Sequence, residues 1–302
     1  MLGKILLFVV IALLDPCSGW SFWGRNQSDW NGLKVTWGLN PWTSYNDMPR
    51  TRDAALVDGW RKLDAGSRCQ GDHVVGERFV KNGDLGVVLL YDKNGFIAGI
   101  QAGVSGFIAG IQAGFDKAYM PNPNGYPFQP LVNAPFVEYP RPGGGSDLFV
   151  TAYFVPPEKI CSTGRNADEF LRQGTGVGLW IQNGKNPLTD SVRMPPTIEA
   201  ARKSQWTEGA CFYTMGVHFW HNTSKTMSCD ELFPVFLMYN DGVLNAFGWA
   251  FGMDIRSSAW LEHPPKNSYG HFMKVIPDCL YRLGTLTTLH IYLTDSALAD
   301  RC

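Results

Sequence analysis

The chain has 302 residues and is almost neutral, with 26 lysines and arginines against 27 aspartates and glutamates. A nucleic-acid-binding protein normally carries a basic patch or stripe, so this balance argues against nucleic acid as a partner. No basic run indicates attraction to an anionic membrane surface, and we expect no stable membrane contact. The length is sufficient for one large domain or two smaller ones.

The N-terminal residues have the pattern of a secretory signal peptide. Lys4 provides a positive n-region, Ile5–Leu14 is an apolar run, and Cys17–Gly19 offers small residues for cleavage before Trp20. This run is shorter than the roughly 20 apolar residues that a membrane-spanning helix needs. We therefore predict that residues 1–19 are a signal peptide and that the protein is secreted and extracellular. The alternative is a buried N-terminal helix.

The cysteines predict a disulfide framework. Six remain once residues 1–19 are excluded, and an even number is typical of a secreted, disulfide-bonded chain. They include no Cys-x-x-Cys pair, which argues against a zinc ribbon. Two Asn-x-Ser sequons, at Asn26 and Asn222, fit N-glycosylation. The cysteines predicted to form three disulfides are Cys69, Cys161, Cys211, Cys229, Cys279 and Cys302.

Residues 20–44 form a tryptophan-rich N-terminal arm that holds five of the 11 tryptophans of the chain. Large aromatic side chains dominate the energetics of burial, so we favour an arm that packs across the protein and seals a core. In the alternative interpretation, exposed aromatic faces stack on sugar rings. The tryptophans of the arm are Trp20, Trp23, Trp30, Trp37 and Trp42.

The rest of the chain predicts a mainly β (α+β) fold. Arg50–Leu63 has the apolar spacing of an amphipathic helix, and short helices are expected at Asp168–Arg172 and Ile198–Ser204. From Cys69 onward most patterns favour antiparallel strands joined by hairpins. The predicted strands are Glu77–Lys81, Val87–Tyr91, Phe96–Ala102, Leu148–Val155, Val177–Gln182, Cys211–Trp220, Val235–Tyr239, Val243–Phe251 and Thr287–Thr294.

Two hairpins with the same order of features suggest an internal duplication. Tyr91 ends an apolar strand before the turn Asp92–Gly95, and Tyr239 ends another before Asn240–Gly242. Hairpins are common in antiparallel proteins, so the alternative is an unrelated pair. If the duplication is real, Cys69 pairs with Cys161, and the other four cysteines pair among themselves. The predicted organisation is an arm at 20–44, halves at 45–165 and 195–302, and a connection at 166–194.

The octapeptide FIAGIQAG occurs twice, at Phe96–Gly103 and Phe107–Gly114. Its glycines argue against a membrane helix, since each interior glycine costs roughly 1 kcal/mol of helix stability relative to alanine. We interpret the pair as a local tandem duplication of one core strand. The alternatives are a membrane-inserting hairpin and a glycine-rich strand that self-associates.

Histidines provide the strongest candidates for a metal or acid–base site. His218 and His290 lie on separate predicted strands and are placed to meet across a sheet, and His221 joins them if its strand ends near Trp220. Imidazoles and carboxylates are common zinc ligands and proton-transfer groups. The favoured interpretation is that these histidines sit in loops or satisfied cores. The carboxylates considered as their partners are Asp254, Glu262 and Asp295.

No motif in the sequence identifies an enzyme or a cofactor. There is no Gly-x-Ser-x-Gly nucleophile elbow and no dinucleotide-binding glycine pattern. We therefore expect a non-catalytic extracellular binding or matrix protein without a cofactor, with a glycan among its candidate ligands. The alternatives are a secreted hydrolase and a membrane-active protein that uses residues 96–115. The loop carboxylates available to a glycan hydrolase are Glu138, Asp147, Glu208, Asp230 and Glu231.

Overall fold

Two antiparallel sheets, a few short helices and three disulfides make up the fold, which confirms the mainly β class. The predicted signal peptide, the sequon at Asn26 and the second octapeptide at Phe107–Gly114 lie outside the described residues. A computed structural model describes residues 30–38, 40–63, 68–104, 135–140 and 146–302.

The first sheet contains eight strands. They are β3 (Trp60–Lys62), β4 (Glu77–Lys81), β5 (Asp84–Tyr91), β6 (Ile97–Val104), β7 (Val137–Pro140), β8 (Ser146–Tyr153), β9 (Trp180–Gln182) and β10 (Ser191–Arg193). Their spatial order is β10-β9-β8-β6-β5-β4-β3, and β7 also pairs with β8.

The second sheet contains seven strands. They are β1 (Lys34–Val35), β2 (Asn46–Asp47), β11 (Trp206–Phe212), β12 (Gly216–His221), β13 (Val235–Asn240), β14 (Val243–Phe251) and β15 (Thr287–Tyr292). Their order is β11-β12-β13-β14-β15-β1-β2, so the strands after residue 205 form a meander that β1 and β2 extend.

Short helices connect the strands, and those expected at Asp168–Arg172 and Ile198–Ser204 are present. Asn166 begins the first of them with a capping box, in which its side chain and that of Glu169 bond each other's backbone N–H groups. The helices are α1 (Pro41–Ser44), α2 (Arg52–Val57), α3 (Pro157–Ser162), α4 (Ala167–Gln173), α5 (Ile198–Arg202) and α6 (Asp278–Arg282). Within the described ranges, 3₁₀ turns occupy Cys229–Glu231, Lys266–His271 and Ala297–Ala299.

The predicted helix Arg50–Leu63 is wrong in its second half. Helix α2 ends before Asp58, and Gly59 adopts a φ of 86° that an L side chain rarely takes. Trp60 then begins β3, where its side chain is fully buried in the core between the sheets. Tertiary burial of the indole therefore outweighs the local helical pattern.

The predicted strand Cys211–Trp220 is a hairpin of two strands. Strand β11 ends at Phe212, and the chain reverses through Thr214 and Gly216, whose φ angles are 74° and 98°. Strands β11 and β12 then pair antiparallel. The reversal places Tyr213 and Thr214 at the tip of a turn rather than inside a sheet.

The first octapeptide forms most of β6, in the interior of the first sheet. Strand β6 pairs with β5 on one side and β8 on the other, and Ile97 and Ile100 are fully buried. The Asp92 carboxylate accepts hydrogen bonds from the backbone of Asn94 and Phe96, which fixes the turn before the strand. This copy is therefore a core strand, as the sequence indicated.

The two sheets enclose one shared core. Buried residues of both sheets belong to the same cluster, and the rings of Phe154 and Phe247 lie 6.2 Å apart within it. Trp30 is 3% exposed in this core, and its indole N–H donates to the Leu244 carbonyl at 3.0 Å. Trp42 differs, because 83% of its surface is exposed. The arm therefore seals the core with one tryptophan and presents another to solvent.

Three disulfides link Cys69 to Cys161, Cys211 to Cys302 and Cys229 to Cys279. The first closes within the predicted first half, and the other two close within the second. This is the pairing that the duplication hypothesis requires, although it does not by itself establish a duplication. Disulfides of this kind are compatible with an extracellular protein.

Candidate functional site

His218 and His290 come together on the outer face of the second sheet. Their ring centroids are 6.2 Å apart, although two strands separate β12 from β15. The ring of Phe236 bridges them, at 5.7 Å from His218 and 5.0 Å from His290. Phe236 fits there because Gly248 has no side chain; a Cβ on Gly248 would lie 2.1 Å from Phe236 Cζ.

His221 does not join this pair. It lies three residues after His218 on the same strand, so its side chain faces the opposite side of the sheet. Its ring packs 5.3 Å from Trp206 and 4.9 Å from Phe233, next to the core between the sheets. Across the described ranges no group of three or more histidine, cysteine, aspartate or glutamate side chains is close enough to hold a metal ion.

Glu262 pairs with His290, and both of its carboxylate oxygens are occupied. Oε2 accepts from His290 Nδ1 at 2.5 Å and from the Thr288 hydroxyl at 3.1 Å. Oε1 accepts from the backbone N–H of Trp37 at 2.6 Å and of His290 at 3.4 Å. A carboxylate so engaged has no acceptor position left for a substrate proton. The pair therefore acts as a clamp that holds the segment around Trp37 on the sheet.

His218 is unsuited to proton transfer at neutral pH. Burial, reinforced by the neighbouring His290, lowers its pKa to about 3, so the ring is neutral. Its Nδ1 lies 3.2 Å from the Gly216 carbonyl, and its buried Nε2 has no hydrogen-bond partner. An efficient general acid or base titrates near the working pH, and His218 is far from that.

We define the aromatic surface as the contacting rings Trp37, Phe212 and His271, together with Trp42 of the same β1–β2 loop and Tyr213 of the β11–β12 turn. Trp42 is 83% exposed and Tyr213 is 62% exposed, and Trp42 is the one exposed tryptophan in the described part of the chain. The rings of Trp37 and Phe212 meet edge to face at 5.4 Å, and Phe212 lies 6.1 Å from His271.

Thr214 anchors the aromatic surface from below. Its hydroxyl accepts from the Trp37 indole N–H at 3.1 Å, and its carbonyl accepts from the Tyr45 hydroxyl at 3.2 Å. Burial raises the pKa of Tyr45, so that hydroxyl keeps its proton. The Cys211–Cys302 disulfide joins the strand before this turn to residue 302. The aromatic rings are thus presented by an ordered support, as a recognition surface requires.

Asp300 lies beside this support and has a carboxyl group with a raised pKa. Burial raises its pKa to about 7. Oδ1 accepts from the Asn245 amide at 2.8 Å, while the buried Oδ2 has no hydrogen-bond partner. The Asp300 carbonyl also accepts from the Thr214 backbone N–H at 2.9 Å, which ties the residue to the aromatic surface.

The carboxylates considered for glycan hydrolysis include several with structural roles. Glu208 forms ion pairs of 2.7 Å with both Arg202 and Lys274. Glu231 completes a capping box with Ser228, and Asp230 belongs to the same 3₁₀ turn. Asp147 and Glu138 lie on the paired strands β8 and β7.

A polar cavity of about 340 Å³ lies on the first sheet's side of the molecule. It opens between the turn at residues 70–73 and the loop at 185–188 that joins β9 to β10. The loop is held by His73, whose ring nitrogen lies 3.4 Å from the Lys185 carbonyl. The side chains that line the cavity include Gln70, Asp72, His73, Lys185, Asn186 and Leu188.

No protein-family model, curated protein or solved structure matches this chain. None of the helices in the described ranges has the length and apolar character needed to cross a membrane. The chemistry of the aromatic surface and its surroundings is therefore the basis for a functional assignment.

Sequence reasoning identified His218, His290 and Glu262 but missed Tyr213 and Asp300. Tyr213 lies inside the predicted strand Cys211–Trp220. Gly216, three residues later, was the sequence signal that the chain reverses there. No local pattern marks Asp300, because its raised pKa arises from burial by residues distant in sequence. His218, His221 and His290 together as metal ligands remain a sequence prediction for which the placement of His221 offers no support.

Proposed function

We propose that the protein is a secreted, disulfide-bonded glycoprotein that binds glycans non-catalytically through the aromatic surface. The exposure of Trp42 and Tyr213 carries this proposal, because they lie on a loop and a turn that are joined through the hydrogen bonds of Trp37 and Tyr45 to Thr214. Burying a large aromatic side chain contributes about 2–3 kcal/mol, so a tryptophan left 83% exposed on an ordered support is informative. Aromatic faces combined with polar groups are suited to the C–H faces and hydroxyls of sugar rings.

Polar groups accompany the aromatic rings of this surface. Thr43 and His271 are exposed, and Ser44 is half-buried on the same short helix as Trp42. The formal net charge of −1 gives no strong field that would select a highly charged ligand. A neutral, hydroxyl-rich ligand fits this combination.

Secretion and glycosylation are supported by independent features. The Asn222 side chain is exposed in the turn after β12, where an oligosaccharide can be attached without entering a core. Its backbone is held by a 2.7 Å hydrogen bond to the Gln205 carbonyl. Three disulfides favour an oxidising compartment.

The state of the histidines favours binding over hydrolysis. Glu262 is fully engaged by Trp37, Thr288 and His290, and His218 stays neutral at physiological pH. Membrane activity through residues 96–115 would require β6 to leave the interior of the first sheet and break its pairing with β5 and β8. A non-catalytic binding protein is the function that needs no such rearrangement.

A glycan array, followed by titration of the best ligand, tests the proposal. Trp42→Ala and Tyr213→Ala should each weaken binding about tenfold, since one lost aromatic contact is worth up to about 1.5 kcal/mol. Tyr281→Ala is the matched control, because Tyr281 is 48% exposed on α6 and lies outside the aromatic surface.

Three outcomes would contradict the proposal. Equal losses in Tyr281→Ala and Trp42→Ala would place binding elsewhere, and no binding to any glycan would remove the ligand class. Mass spectrometry of the bound glycan after long incubation should show it intact. Cleaved product would instead identify the protein as a hydrolase.

A further inference from the structure

The segments that lead into the two sheets share a sequence and a set of contacts. Residues 48–60 read MPRTRDAALVDGW and residues 194–206 read MPPTIEAARKSQW, with six of 13 positions identical. Thr51 and Thr197 cap their helices through their side chains. Each also forms an isolated bridge to the residue after a hairpin turn, Phe96 in one case and Val243 in the other.

The tyrosines before those turns make the same hydrogen bond. Tyr91 donates to the Pro49 carbonyl at 2.7 Å, and Tyr239 donates to the Pro195 carbonyl at 2.8 Å. Each tyrosine also packs edge to face on a phenylalanine of the preceding strand, at 5.3 Å from Phe79 and at 5.1 Å from Phe219. Agreement in register, burial and side-chain geometry exceeds what two unrelated hairpins require.

The hairpin that leads into each half pairs with the sheet of the other half. Hairpin β1–β2 precedes α2 but pairs with β15, and hairpin β9–β10 precedes α5 but pairs with β8. The hairpins join the following segments alike. The N–H of Met48 donates to the Leu33 carbonyl at 2.8 Å, and that of Met194 donates to the Leu179 carbonyl at 2.7 Å.

This exchange brings the loops of the two hairpins to corresponding places. The β1–β2 loop, which carries Trp37 and Trp42, lies on the turn between β11 and β12 next to Cys211. The β9–β10 loop, which carries Lys185, lies on the segment between β3 and β4 next to Cys69. The aromatic surface occupies the first of these places, and the polar cavity occupies the second.

The cavity has its own binding chemistry. Its volume of about 340 Å³ falls within the range of small-molecule sites. Asp72 and Lys185 bring opposite charges to it without forming an ion pair, and Asn186 and Gln70 add amide groups. Side chains of these types donate to and accept from hydroxyl groups.

We infer that the chain is a duplicated unit with exchanged hairpins, and that the polar cavity is a second ligand site that binds a hydroxyl-rich sugar unit. The choice of a sugar as ligand rests on the proposed function of the aromatic surface. The two sites use different chemistry, since one stacks sugar faces on rings and the other binds hydroxyls through Asp72, Lys185 and Asn186. The protein is then bivalent within a single chain.

Nuclear magnetic resonance of the uniformly ¹⁵N-labelled full chain tests this inference. The probes are methyl glycosides of neutral hexoses, N-acetylhexosamines and hexuronic acids, titrated one at a time. At least one should shift the amide signals of Gly71, Asp72, Lys185 and Asn186. The variant Lys185→Ala should weaken that titration at least tenfold, because it removes a hydrogen bond from a charged group.

Two further variants separate the sites. Trp42→Ala should leave the cavity titration unchanged, and Lys203→Ala, which removes an exposed lysine after α5, should change neither titration. Shifts confined to the aromatic surface would overturn the second site and leave the proposed function intact. Shifts at the cavity alone would support the second site and contradict the assignment of the aromatic surface. No shift at either place with any probe would overturn both.

Discussion

Glu262 and His290 form a buried pair in which Oε2 and Nδ1 are 2.5 Å apart. The exposed fractions of the two side chains are 12% and 7%. The other oxygen of Glu262 binds the backbone of Trp37, so one carboxylate joins a strand of the second sheet to the N-terminal segment. This connection makes the position of Trp37 depend on a residue 225 positions away.

Removing the Glu262 carboxylate should loosen that segment. Glu262→Ala leaves the Trp37 N–H and His290 Nδ1 without their partner, and we expect the free energy of unfolding to fall by about 3 kcal/mol. Urea unfolding with intact disulfides measures the loss, and hydrogen exchange at the Trp37 amide should accelerate. Glu158→Ala removes an exposed carboxylate on α3 and is the control; its loss of unfolding free energy should be a small fraction of the loss for Glu262→Ala. Equal losses would show that the clamp has no special role.

His218 should make the protein sensitive to acid. Its pKa is about 3 when folded and about 6.5 when exposed, so below pH 6.5 the unfolded chain binds a proton that the folded chain does not. Its contribution to stability is therefore present above pH 6.5 and is lost as the pH falls towards 3. His218→Phe should reduce the slope of stability against pH by up to about 1.4 kcal/mol per unit in this window. His271→Phe, at an exposed histidine, is the control and should leave the slope closer to wild type.

Asp300 should have the opposite effect. Its pKa is raised from 3.8 to about 7, so the folded chain binds the extra proton between these values and loses stability as the pH rises through them. Asp300→Asn keeps the acceptor for Asn245 and removes the titration. Relative to wild type, the variant should gain up to about 4 kcal/mol between about pH 4 and about pH 8. Asp241→Asn at an exposed turn should gain far less, and a flat difference for Asp300→Asn would contradict the raised pKa.

Gly248 should tolerate no side chain. A Cβ there would lie 2.1 Å from Phe236 Cζ and 2.6 Å from the Leu289 carbonyl, so Gly248→Ala must displace the ring that separates His218 from His290. Overpacking of this kind costs about 2–3 kcal/mol, measurable by urea unfolding. Gly270→Ala is the control, because its Cβ would meet no atom within 4 Å. A neutral Gly248→Ala would show that Phe236 has room to move.

The buried ion pair of Arg165 and Asp92 should contribute more to stability than an exposed pair does. The Arg165 side chain is fully buried, its guanidinium donates to the carbonyls of Gly174 and Ile97, and Nε lies 3.7 Å from Asp92 Oδ2. Arg165→Met should cost about 3–5 kcal/mol in urea unfolding, because it leaves a buried carboxylate without its cation. Arg202→Met breaks the exposed pair with Glu208 and should cost far less, because solvent screens an exposed ion pair. Similar costs for the two variants would contradict the role of burial.

The elements that sequence predicted well are those whose signals are local. Strands β4 and β14 have the predicted bounds, since a run of apolar residues ended by a turn contains its own boundaries. The turns after Tyr91 and Tyr239 were also predictable from the sequence, because Gly95 and Gly242 supply the positive φ angles that these turns need. The helix expected over Arg50–Leu63 is wrong where Trp60 enters the core. The burial of Trp60 depends on residues distant in sequence, so the neighbouring residues do not predict it.

The candidate site was predictable only in part. Alternation along strands placed His218 and His290 on one face, but their approach to 6.2 Å depends on Phe236 and Gly248, which lie on the two strands between them. The same alternation sends His221 to the other face. The exposure of Trp42 and of Tyr213 follows from how the β1–β2 loop rests on the β11–β12 turn, although the two hairpins lie at opposite ends of the strand order of the second sheet. The contact that joins this loop to this turn, from Trp37 to Thr214, links residues 177 positions apart in sequence.

By itself the sequence determined the fold class, the disulfide framework and the two hairpins, because composition, cysteine parity and turn chemistry act over a few residues. Only the tertiary structure shows that residues 34–47 extend the second sheet by pairing with β15, and that residues 180–193 extend the first sheet by pairing with β8. It also decided that Glu262 serves as a clamp and that the aromatic surface and the polar cavity occupy corresponding places. These outcomes depend on long-range strand pairing and on burial, which set hydrogen-bond partners and pKa values and leave no mark in local sequence.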